Sequence, residues 1–194
     1  MRDWIEQVLG AVEPLQHEIY GPRYRCSLTL KDGTHLPCAV VQSKRKQVDL
    51  AIRRIREVAR VRGVDLPGET VAAFSAAGNH VNAYDVQSGG TSRFAIPLRL
   101  LRQIHGETRM GWTGWVFRMK DGREFSYGSA FHMEFFELPD GYDFSDVDEV
   151  VNHAYLDQKG NLVSLERGAG LGSGYQPGRV YRERVFFTCF VDAL

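Results

Sequence analysis

The chain has 194 residues, with 24 Lys plus Arg against 24 Asp plus Glu and a hydrophobic fraction of 43%. This excludes a disordered chain, and no run approaches the roughly 18 continuous apolar residues that mark a transmembrane helix. The balanced charge also argues against a chain that is basic throughout, as many nucleic-acid binders are.

The N-terminus leads into amphipathic sequence and not into a signal peptide, so a soluble, cytoplasmic protein is expected. Asp3-x-x-Glu6 is a capping-box pattern. Trp4, Ile5, Val8, Leu9 and Val12 follow at helical spacing, and Pro14 should end that helix. Asp32-Gly33 sits between alternating apolar residues and predicts a hairpin with a two-residue turn. Cys26 then faces Ala39 and Cys38 faces Ser27, which places the two thiols on opposite sheet faces. With Cys189 they read as small core residues in a reducing compartment.

A second helix is expected over 46–62, with Val48, Ile52, Ile55, Val58 and Ala59 on its inward face. Gly78-Asn79 suggests a further hairpin. A third helix should begin near Pro97, turning Leu98, Leu101 and Ile104 inward. A second Asp-Gly hairpin spans 115–127, and 131–137 reads as a strand. Ser145-x-x-Asp148 predicts the cap of a fourth helix carrying Val147, Val150, Val151, Ala154 and Tyr155 at i, i+3, i+4, i+7 and i+8. Strands are expected over 162–165 and 180–190. The Gly-rich segment 168–174 between them matches neither phosphate-loop nor dinucleotide spacing and reads as a surface loop.

These elements predict one α+β domain over 1–194. Its antiparallel, curved sheet would be built from hairpins, with about four helices mainly on one face. The pattern apolar-x-apolar-Lys-Asp-Gly-x-x-apolar occurs at 28–36 and again at 117–125, an offset of 89. It raises an internal duplication with halves 1–90 and 91–194.

The zero net charge conceals segregation. Residues 44–62 carry a net charge of +6, and 124–158 carry −9 with no Lys or Arg. The acidic stretch holds Tyr142 and Phe144 among Asp140, Asp143 and Asp146, a composition suited to a protein interface. The leading expectation is therefore a non-enzymatic, cytoplasmic module that binds a protein partner, of an immunity or adaptor kind. An alternative is a small metal-dependent or acid/base hydrolase. His132 and Glu134 lie two apart on an expected strand and so share a face. A further alternative is non-specific docking on nucleic acid through Arg53, Arg56 and Arg60. The basic helix lacks interleaved aromatics, which disfavours that reading. No motif calls for a cofactor or a metal, and none is expected.

Overall fold

The computed structural model describes residues 2–17, 21–45, 49, 52–53, 56–57, 79–108, 111–130, 133–165, 175–192 and 194. The chain forms two compact units, Met1–Ser92 with Phe186–Leu194, and Arg93–Val185.

In the first unit, helix α1 (Arg2–Ala11) precedes strands β1 (Leu15–His17), β2 (Gly21–Leu30), β3 (His35–Ser43), β4 (His80–Val81) and β5 (Val86–Thr91). The final strand of the chain, β12 (Phe187–Val191), returns to this sheet and pairs parallel with both β3 and β4. β2 pairs antiparallel with β1, β3 and β5. Trp4 and Val8 of α1 pack on Cys26, Leu28, Val41, Val86 and Cys189. Gly89 permits that seating, since a Cβ there would lie 2.4 Å from Val8 Cγ2. All three cysteines are free and buried. Burial pushes the Cys26 and Cys189 thiols up to about 12.

The second unit holds α2 (Leu98–Leu101), β6 (Thr113–Met119), β7 (Glu124–Ser129), β8 (Val147–Asn152), β9 (Ala154–Leu156), β10 (Leu162–Ser164) and β11 (Val180–Tyr181). The sheet order is β11-β7-β6-β8, with β11 parallel to β7. Trp115, Phe117, Tyr127, Phe136, Phe144 and Tyr181 fill its core. The paired glycines Gly114 and Gly128 leave a bare strip that the Trp112 ring covers.

The two units carry the same four-strand arrangement. β12-β3-β2-β5 in the first corresponds to β11-β7-β6-β8 in the second. Each contains a Lys-Asp-Gly hairpin. A 3₁₀ turn, Ala83–Asp85 or Phe144–Asp146, precedes the outer antiparallel strand. Lys31 N donates to Asp85 O and Lys120 N donates to Asp146 O, both at 2.8 Å.

Several expectations need correction. The protein is mostly β, its described residues form two α-helices and not about four, and its sheets are mixed and not antiparallel. The fourth helix is a strand pair, β8 and β9. A register shift places Met119 opposite Val147 but Arg118 opposite Glu149, so Asp148 is an extra bulge residue. The bulge puts Val147 and Val150 on one face three residues apart. That spacing mimics a helix, while the β-branched valines favour a strand. His153, at φ 52°, then turns the corner into β9. The hairpin loops have three residues and not two. Leu30 N donates to Thr34 O, Gly33 N donates to Leu30 O, and Gly33 supplies φ 87°. A bulge between Cys26 and Leu28 restores the expected Cys26–Ala39 pairing beyond it.

Most of the expected second helix lies outside the described residues. The residues described there have helical backbone and exposed side chains, including Ile52 at 42%. The third helix shrinks to the single turn of α2, which buries Leu98 and Leu100. The Gly-rich segment 168–174 lies outside the described residues. Among the described residues, no helix is long and apolar enough to cross a membrane.

Candidate functional site

Part of the acidic stretch of the second unit gathers around one hairpin turn. In the Lys120-Asp121-Gly122 loop, Gly122 adopts φ 84° and Asp121 Oδ1 accepts from Arg123 N at 3.0 Å. A second turn, at 139–142, closes with Tyr142 N donating to Pro139 O at 3.2 Å. Its third position needs positive φ, which Gly141 supplies at 82°. Tyr142 OH donates to Asp121 Oδ2 at 2.5 Å and ties the two turns together. The Tyr142 ring also meets Phe125 edge-on, with centroids 5.2 Å apart.

Between the turns lies a cavity of about 440 Å³. Lys120 and Arg123 line it with Asp121, Asp140, Tyr142 and Asp146. The Tyr142 hydroxyl, and then the Arg123 amide, hold the Asp121 carboxyl below the usual range, while the same bond pushes the Tyr142 hydroxyl up. The expected interface residues therefore divide by task. Asp140 and Tyr142 line the cavity. Asp143 and Asp146 form a reciprocal capping box on the 3₁₀ turn, and bonds from Ser145 hold the Asp143 carboxyl low. Phe144 is only 5% exposed and packs against Phe117 in the core.

The −9 charge is largely engaged. Arg118 bridges Glu124 and Glu149, and Arg184 pairs with Glu137 at 3.2 Å. Asp157 accepts from Lys159 N and Asn161 N in a tight turn. Asp140 and Asp148 have no hydrogen bond or ion pair among the described residues. Arg53 and Arg56 are exposed, whereas Arg60 lies outside the described residues.

Of the His132–Glu134 pair, His132 lies outside the described residues. Glu134 is buried, 2% exposed. Its neighbour is Glu183, on the bridge pairing Phe136 with Glu183. Burial pushes the Glu183 carboxyl up to about 7, against bonds from the Ser129 hydroxyl and the Glu134 amide, and the Glu134 charge pushes the same way as burial. Its Oε1 is buried without a hydrogen-bond partner among the described residues. Sequence reasoning missed Glu183. The one available signal was its place two residues after Tyr181, which puts both on one face of an extended segment. No group of three or more His, Cys, Asp or Glu that could hold a metal occurs among the described residues.

No family model matches the chain, and neither a curated protein nor a solved structure matches it.

Proposed function

We propose that the protein is a non-enzymatic, cytoplasmic binding module that engages a protein partner through the charged cavity of its second unit. The observation that carries this reading is the convergence of Asp140, Tyr142, Lys120 and Arg123 on one cavity, with Asp140 in no ion pair among the described residues. Charges of both signs beside an aromatic ring suit a protein surface of complementary pattern. They suit a phosphate backbone poorly, because Asp121, Asp140 and Asp146 would repel it. A partner lysine or arginine can meet Asp140 while its stem lies along Tyr142.

The test uses the double reversal Asp140→Lys, Asp148→Lys. Neither side chain caps a turn or pairs with another, so the fold should survive. The wild type should retain its partner on an affinity matrix, and the double variant should lose it. Equal capture by both proteins would refute the proposal.

A second reading rests on Glu183. A carboxyl titrating near neutrality beside Glu134 and Ser129 is suited to general acid/base catalysis. It requires hydrolytic turnover of a chromogenic ester or phosphate that disappears in both Glu183→Gln and Glu134→Gln. Wild-type protein without turnover on such a panel would remove this reading.

A further inference from the structure

We propose that the first unit carries a separate binding site for an apolar α-amino acid, held as its zwitterion. The site is a cavity of about 570 Å³ beside β4 and β12. That size falls within the range of small-molecule pockets, which pair apolar walls with a few placed polar groups. Ile5, Val81, Ala83 and Phe190 supply apolar wall. The Phe190 ring is held by an edge contact from His80, with centroids 4.9 Å apart at 86°. Tyr84, also lining the cavity, is 65% exposed. An aromatic so open beside an apolar hollow can cover the side chain of a bound molecule.

The polar groups select the ligand. β3 and β12 run parallel, with Phe190 opposite Gln42 and Val191 opposite Ser43. The next residues on the two strands are therefore neighbours, and Lys44 Nζ lies 3.8 Å from Asp192 Oδ1. Both line the cavity and both are exposed. An exposed pair of this kind contributes little stability and opens at little cost. Together they present one positive and one negative charge.

A fatty acid would meet only Lys44 and a simple amine only Asp192, so each gains one charged contact. A zwitterion satisfies both. Its carboxylate meets Lys44, its ammonium meets Asp192, and its side chain enters against Phe190 and Ile5.

Isothermal titration of the full chain tests this with L-phenylalanine as the probe. 3-Phenylpropionate and phenethylamine each remove one charge, and glycine removes the apolar body. L-Phenylalanine should bind saturably. Each single-charge analogue should bind about two- to fivefold more weakly, the loss expected for one solvent-exposed ion pair. Glycine should show no saturable heat. Lys44→Gln and Asp192→Asn should each weaken L-phenylalanine by a similar factor, with unchanged circular dichroism. Both side chains are exposed, so these variants should fold. The proposal is overturned by no saturable heat up to roughly 10 mM, by analogues that bind as tightly as the amino acid, or by variants that bind like the wild type.

Discussion

Raising the pH through neutrality should weaken the fold through Glu183. In the unfolded chain this carboxyl ionises near 4.5, and in the folded chain near 7. Between those values the folded state holds a proton that the unfolded state has released, so stability falls as pH rises. The stabilising contribution is fully present below 4.5 and is lost above about 7. Three aspartates act with the opposite sign. Asp121, Asp143 and Asp157 are held low by hydrogen bonds and stabilise the fold above their titration range.

At full weight a shift from 4.5 to about 7 corresponds to about 3.4 kcal/mol. Glu183 is partly exposed, and solvent screening reduces this to roughly 1–2 kcal/mol. Equilibrium urea unfolding across this range measures it. Glu183→Gln keeps the shape of the side chain and removes the titration. Between pH 5 and pH 8, the wild type should lose roughly 1–2 kcal/mol more stability than the variant. Parallel stability curves for the two proteins would show that the Glu183 carboxyl does not change charge on folding, and the argument from its burial would fail.

Two further outcomes follow from close contacts. Gly114→Ala should destabilise the protein by about 1–3 kcal/mol, because its Cβ would lie 2.2 Å from Trp112 Cη2. Denaturant unfolding reads this, and the same substitution in a Trp112→Ala background should cost much less. Tyr142→Phe removes the main bond that lowers Asp121, so the Asp121 carboxyl should titrate at higher pH, as carbon-detected NMR can follow.

Much of the local structure was legible. The apolar spacing marked α1 because Trp4 and Val8 need only one face to bury, although the helix starts at Arg2 and so contains Asp3, the expected cap. The Lys-Asp-Gly pattern marked both hairpins because a glycine at positive φ is a local requirement. Asp140 and Tyr142 were found as surface residues beside each other in sequence. What misled was also local. At Val147 to Tyr155, a bulge and a corner reproduced the spacing of a helix, and only pairing with β6 distinguishes the two. Glu183 could not be found because its surroundings, Ser129 and Glu134, come from distant segments.

The sequence by itself determined where the two Asp-Gly turns fall, the first helix, the buried cysteines and the separation of charge along the chain. These depend on neighbours within a few residues, where backbone geometry and side-chain period act. The tertiary structure alone decided that β12 runs parallel to β3, and with it that Lys44 stands beside Asp192. It alone decided that most of the acidic stretch is engaged in pairs and caps. Parallel pairing joins segments far apart in the chain. Its stability comes from hydrogen bonds and burial shared between them, which neither segment displays alone.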